Sequence, residues 1–251
     1  MSLTFDTFSP SLSIREDAFG NPVGKAIEDW QAREPLPSIE LKGRTCRLMP
    51  YALEYAQGLY ESLAKDDGSM WSYLPYGPFS DTEAIDTSIQ NYQRNRDFQT
   101  FVILKDEIPV GYASYMRYDL VNGVVEVGGV TFSPALRRST VATEAMYLMM
   151  AHAFAHGYRR YEWKCNQLNA PSNHAALRLG FTFEGVFRNH QVAREGRRDT
   201  AWYSVITEEW PQVRGRLESW LDPASFDADG QQKQALSAIR VTRFAEPFQT
   251  S

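Results

Sequence analysis

The sequence predicts a mixed α/β (α+β) fold around one central sheet. Two observations carry that reading. Strand-like and helix-like stretches follow one another as strand, helices, three strands, helix, strand, helix and two strands. The three middle strands are joined by turns too short for crossover helices, so they pair antiparallel. The regular strand–helix alternation of a doubly wound dinucleotide fold is absent, and no G-x-G-x-x-G occurs.

The elements can be justified in order. Residues 1–36 are rich in Pro, Gly and acidic side chains and end in "REPLP", which reads as an extension with a linker; its Phe5, Phe8, Phe19 and Trp30 predict that it packs on something. "SIELKGRTCRLMPY" alternates and predicts two short strands around Gly43. From Ala52, Leu53, Ala56, Leu59, Tyr60 and Leu63 recur at helical spacing. "WSYLPYGPF" is an aromatic loop. Ser80 or Asp81 then caps a helix over Thr82–Arg96. "TFVILKD", "IPVGYASYMRYD" and "GVVEVGGVTFS" are the three strands, the first two joined at Asp106–Glu107. A basic loop leads into a helix from about Val141 to His156, stopped by Gly157. "YRRYEWKCN" is a strand, and "APSNHAALRLG" a short helix with Pro171 in its first turn and Gly180 at its end. "FTFEGVFRNHQVA" and "RDTAWYSVI" pair across "REGR". Val213, Leu217, Trp220 and Leu221 give "WPQVRGRLESWLD" an apolar helical face.

Composition excludes several classes. The 251 residues carry a net charge of −5, which argues against generic nucleic-acid binding. Two cysteines, Cys46 and Cys165, build neither a disulfide framework nor a metal-ligand spacing. His152 and His156 are four apart, but without H-E-x-x-H they read as packing or surface, so no metal is expected. The N-terminus lacks signal-peptide character, and no stretch approaches the roughly 18 apolar residues of a membrane span. The expectation is a cytoplasmic protein that does not bind membranes.

Three stretches carry a family resemblance. In "VEVGGVTFSPALRRSTVATEA" the loop Arg137, Arg138, Ser139, Thr140, Val141, Ala142 resembles the GNAT pattern Q/R-x-x-G-x-G/A. Arg137 and Ala142 fit it, and Thr140 stands where glycine is usual. "LNAPSNHAALRLGF" resembles the N-x-x-S-x-x-(small)-x-x-x-x-G-F segment of the RimJ/RimL-like branch, through Asn169, Ser172, Gly180 and Phe181. "FEGVFRNH" and the closing strand resemble the end of that domain. Residues 37–208 are thus identified as resembling a GNAT N-acetyltransferase, with 209–251 as a C-terminal helix and tail. The resemblance implies a seven-stranded, mostly antiparallel twisted sheet with a V-shaped split, flanked by helices, and acetyl-CoA as cosubstrate lying in the split.

The resemblance puts the pyrophosphate on the loop and helix start. Open backbone amides and the helix dipole favour an anion there. Arg137, Arg138, Ser139, Thr140, Val141, Ala142 and Thr143 are the candidate contacts. Thr140 needs no glycine if its φ is negative, and it can cap the helix or donate to phosphate. The backbone of Val130 to Phe132 is assigned the pantetheine and oxyanion contacts, Asn169 a cofactor contact, and Ser172 the donor to the leaving sulfur. For the base, Glu126 is one candidate, or else a glutamate bonded within the sheet. His190 is a second, or else a surface histidine on a hairpin; water-relayed deprotonation is a third. Tyr73 and Tyr76 would wall the acceptor site.

The function implied is direct acetyl transfer in a ternary complex to a primary amine, first a protein or peptide N-terminus. A small amine or antibiotic as acceptor, and a CoA-binding module without catalysis, stay open. The two extensions suit a dimer contact or a lid over the acceptor site.

Overall fold

The computed structural model describes residues 14–96, 98–193 and 196–238. Two compact units divide between Ala32 and Arg33. In the first, β1 (Ile14–Glu16) and β2 (Pro22–Gly24) form an antiparallel hairpin. Asp17 organises its turn, its Oδ1 accepting from the amides of Phe19 at 2.8 Å and Asn21 at 2.9 Å. Phe19 is exposed, against the expectation that it packs; Phe5 and Phe8 lie outside the described residues.

The second unit takes up the last part of the stretch read as a linker. Arg33 N donates to Leu120 O, Tyr158 Oη to Glu34 O, and Leu36 is buried in the core. From there the elements run β3 (Leu41–Lys42), β4 (Arg47–Pro50), α1 (Ala56–Leu63), α2 (Thr82–Arg96), β5 (Gln99–Lys105), β6 (Ile108–Asp119) and β7 (Val124–Phe132). They continue with α3 (Thr140–Ala155), β8 (Arg160–Asn166), α4 (Ala170–Leu179), β9 (Thr182–Ala193), β10 (Gly196–Ile206) and α5 (Trp210–Leu221). The predicted helix starts hold: Asp81 Oδ1 accepts from Ala84 N, and Pro171 lies in the first turn of α4. Asp106 and Glu107 both adopt positive φ, as a two-residue hairpin turn of matching twist requires. The turn read at "REGR" includes residues 194 and 195, which lie outside the described residues.

One sheet of eight strands results, in the order β3-β4-β5-β6-β7-β8-β10-β9, so the two-residue β3 adds an edge to the seven strands expected. Every pairing is antiparallel except β7 with β8. Strand alternation divides the side chains between two cores. Tyr161, Trp163 and Cys165 face the core that includes α3, α4 and α5, with Met146, Met149, Leu179 and Leu217. Val102, Leu104 and Tyr112 face a second core with Leu59, Trp71 and Ile85 from α1, α2 and the segment between them.

A buried carboxylate ties the first core to the sheet edge. Glu144 on α3 accepts from Arg44 N at 2.8 Å, Thr45 N at 2.6 Å and Thr45 Oγ1. Gly43 leaves room for it, since a Cβ there would stand 2.7 Å from the Glu144 carboxyl carbon.

The central feature is a split. β7 and β8 pair only from Val124↔Arg160 to Val127↔Trp163. Immediately beyond, β7 slips its register against β6: Ser114 pairs with Gly128, Tyr112 with Thr131, leaving one extra residue on β7. Gly129 takes φ +59 at this bulge. Ser133 N donates to Val110 O, so strand alternation turns the Phe132 amide the other way, into the gap.

Candidate active site

The basic loop manages without glycine because its left-handed residue is Arg138, at φ +57, and not Thr140. Ser139 is the N-cap of α3: its Oγ accepts from Ala142 N at 3.1 Å and donates to Leu136 O at 2.6 Å. Thr140, for which capping or donation to phosphate were the alternatives, is the first helical residue and so not the cap. The amides of Thr140 and Val141 have no acceptor among the described residues, and the helix dipole adds partial positive charge there. These open donors fit a diphosphate.

The side chains of the loop divide. Arg137 is held within the protein, its Nε donating to Phe132 O at 3.0 Å and its Nη2 paired with the buried Asp66. It thereby locks the loop to the end of β7. Val141 and Ala142 are buried, so they can offer a ligand only backbone. Thr143 is buried, and its Oγ1 accepts from Arg178 Nη2 at 2.7 Å, which commits its hydroxyl to the interior.

Across the split, Asn169 is the N-cap of α4, its Oδ1 accepting from Ser172 N at 3.2 Å. Its amide carbonyl is therefore spent on the helix start. Ser172 Oγ accepts from Trp163 Nε1 at 3.1 Å, which leaves the hydroxyl hydrogen to donate elsewhere. Beside it the Cys165 thiol donates to Asn173 Oδ1 at 3.1 Å, and burial pushes its pKa up.

Glu126 and His190 both belong to the opposite, polar face of the sheet. Glu126 is buried. Its Oε2 lies 2.8 Å from Lys164 Nζ and 3.3 Å from Arg117 Nε, as charge contacts without hydrogen-bond alignment. Burial pushes its pKa up, opposed by Lys164 and then Arg117. Lys164 Nζ also meets Glu162 at 2.9 Å and sits 3.6 Å from the Trp202 ring centroid. Glu126 is thus an ion-paired glutamate within the sheet. His190 is less confined: its Nδ1 lies 2.9 Å from Thr200 Oγ1, and its ring meets Phe187 and Trp202. Burial, then Arg198, Arg117 and Lys164, hold its pKa below the usual histidine value. That direction favours the neutral imidazole, the form a base needs.

Tyr76 belongs to the aromatic cluster over this face, stacked on Phe79 and edge-on to Tyr92. Its hydroxyl reaches Thr131 Oγ1 at 3.0 Å, and burial pushes its pKa up to about 12. A pocket lined by Tyr76, Tyr92, Thr100, Ser114 and Gly129 lies beside the bulge. Tyr73 is exposed on the short 3-10 helix Ser69–Tyr73 and lies outside that lining.

Sequence reasoning missed Lys164, Arg117, Trp202, Trp163 and Asp66. For Lys164 a signal existed: Arg160, Glu162 and Lys164 alternate with Tyr161, Trp163 and Cys165, which marks one polar strand face. For Asp66 there was none, because its partner is 71 positions away. His152 and His156 touch ring to ring, and no cluster suited to a metal occurs among the described residues. Nor, among them, is any helix long and apolar enough to cross a membrane.

Known proteins match this arrangement. The chain is 23% identical over 163 residues to the ribosomal-protein-serine acetyltransferase of Escherichia coli (strain K12), covering 62% of this chain and 90% of that protein. The crystal structure of a GCN5-related N-acetyltransferase from Brucella melitensis superposes with a TM-score of 0.80 at 35% identity, covering 84% of this chain and 98% of the other. A probable GNAT-family acetyltransferase from Chromobacterium violaceum ATCC 12472 gives 0.70 at 35% identity, over 76% and 98%. The acetyltransferase (GNAT) domain family matches residues 46–182, and on that match, the split sheet and the open helix start, the chain belongs to the GNAT acetyltransferases.

Proposed function

We propose that the protein transfers acetyl directly from acetyl-CoA to a primary amine, and that the amine is the N-terminus of a protein or peptide. The observation that carries the reading is the parting of β7 from β8 just before the bulge at Gly129, with the Phe132 amide turned into the gap and the open start of α3 following it. Acetyl-CoA supplies the activated acyl group as a thioester. The amides of Thr140 and Val141, with Arg138, would hold its phosphates. The backbone of Val130 to Phe132 offers donors toward charge developing on a carbonyl oxygen.

Ser172 gives its hydroxyl hydrogen to the departing sulfur. His190 takes the proton of the incoming ammonium, directly or through water, because an ammonium is no nucleophile. Glu126, fixed between Lys164 and Arg117, shapes the field beside it. No side chain in this scheme carries the acetyl group covalently: Cys165 is buried with a raised pKa, so it is a poor nucleophile. A peptide acceptor is supported by the activity in the name of the Escherichia coli relative.

The test is thermal unfolding with and without acetyl-CoA, followed by CoA release with a panel of peptide N-termini and small amines. At 100 times its Kd the ligand stabilises by about 2.7 kcal/mol, several degrees for a domain of this size. No shift at millimolar acetyl-CoA sinks the reading. A shift with no amine accepted leaves a CoA-binding module instead.

A further inference from the structure

We propose that Arg198 recognises a carboxylate that the acceptor carries close to its reactive amine. The inference rests on the reading of this site as an amine acetyltransferase and names the class of acceptor it selects.

Arg198 is on β10, two and four residues before Thr200 and Trp202, so strand alternation puts it on the same face. That face holds His190 and Lys164, opposite the one that packs on α3 and α4. Its Nε is buried and has no acceptor among the described residues. Trp202 Nε1, on the same strand face, is a second buried donor without one. Such donors cost stability unless a ligand satisfies them.

The charges around Arg198 leave it as the surplus cation. Lys164 is taken by Glu126 and Glu162, and Arg117 by Glu126. Arg160 is taken by Glu162 and Glu184, and Arg197 by Asp199. Arg198 makes no ion pair within 4 Å among the described residues; Glu126 acts on it only from farther away. The Cys165 thiol adds no charge, since burial raises its pKa. Thr200, two residues on from Arg198 and on the same face, lies 2.9 Å from His190 Nδ1, and Arg198 is the first of the cations that lower the His190 pKa. The chain as a whole carries −5, so this positive face is a local feature. A guanidinium with open donors suits a carboxylate better than a neutral carbonyl, through charge and paired geometry.

The carboxylate can be an Asp or Glu side chain near a peptide N-terminus, or the α-carboxylate of a free amino acid. Two acceptor sets separate them: peptides with Glu or Gln at the second, third or fourth position, and an amino acid beside its amide. We expect at least one acidic acceptor to exceed its neutral twin by about tenfold in kcat/KM, mostly through KM. In Arg198→Gln that preference disappears while the KM for acetyl-CoA is unchanged; Arg198→Lys keeps part of it. Equal use of acidic and neutral acceptors by the wild type overturns the inference, with the acetyltransferase reading intact. So does a preference that survives Arg198→Gln, or a rise in the acetyl-CoA KM instead. If Arg198→Gln does not fold, the wild-type comparison and Arg198→Lys still decide. Failure of the wild type to acetylate any amine refutes the underlying reading instead.

Discussion

The indole Nε1 of Trp163 on β8 donates to Ser172 Oγ on α4 at 3.1 Å. One lone pair of the hydroxyl is occupied, and its hydrogen, which also has the Cys165 sulfur in reach, can turn to serve the leaving sulfur. Ser172→Ala should therefore lower kcat by about 10- to 100-fold with little change in the KM for acetyl-CoA. Ser172→Thr should recover part of the loss. Steady-state thiol release measures both, and an unchanged kcat in the alanine variant would remove Ser172 from the mechanism.

The pH profile separates the two candidate bases. The folded His190 pKa lies below the ordinary value of 6.5, so the neutral form predominates above that pH and is lost as pH falls through the lowered pKa. The acid limb of kcat/KM should accordingly lie below pH 6.5. His190→Gln should flatten it and lower the plateau by about 100-fold. Glu126→Gln should move the limb while keeping it, because the loss of one charge changes the field of Lys164 and Arg117. If Glu126→Gln abolishes the limb and His190→Gln leaves it, the two roles are reversed.

Thr140 and Arg138 predict opposite responses to glycine. Thr140 has no left-handed strain to relieve, so Thr140→Gly should cost about 0.5–1 kcal/mol of stability and leave acetyl-CoA affinity within a few-fold. Arg138 is left-handed, so Arg138→Gly should hold or raise stability by up to about 1 kcal/mol. The same change removes a phosphate-side cation and should weaken acetyl-CoA about tenfold. Urea unfolding and calorimetric titration together read both effects.

Asp66 should matter far beyond its own turn. Its Oδ1 accepts from Gly68 N at 2.8 Å and Met70 N at 3.2 Å, while its Oδ2 pairs with Arg137. Asp66→Asn keeps the size but leaves the Arg137 guanidinium without its charge partner. A loss of about 2–4 kcal/mol is expected in urea unfolding, together with weaker acetyl-CoA binding as the loop loosens from β7. Unaltered stability and affinity would show the pair to be incidental.

By itself the sequence determined most elements from β3 onward to within a few residues, though not the β1–β2 hairpin, together with the helix stops at Gly157 and Gly180 and the loop and helix start that hold the candidate phosphate site. Those are local matters: periodicity, caps and turn residues act over a few positions, and the open amides of α3 follow from any helix start. It also carried the candidates Ser172 and His190, because each sits in a short stretch that resembles the family. The tertiary structure alone decided which of these groups are free to act. Ser139 and not Thr140 caps α3, Arg138 and not Thr140 bears the left-handed turn, and Thr143 faces inward to Arg178. Glu126 was legible as a strand glutamate, but its partners are Arg117, 9 positions before it, brought in by the antiparallel β6–β7 pairing, and Lys164, 38 positions after it, brought in by a parallel pairing that ends one residue later at Val127. Charge balance across a sheet face depends on register between strands far apart in the chain. No local pattern encodes that, which is why Arg198, without an ion-pair partner among the described residues, became visible only once β8, β9 and β10 were laid side by side.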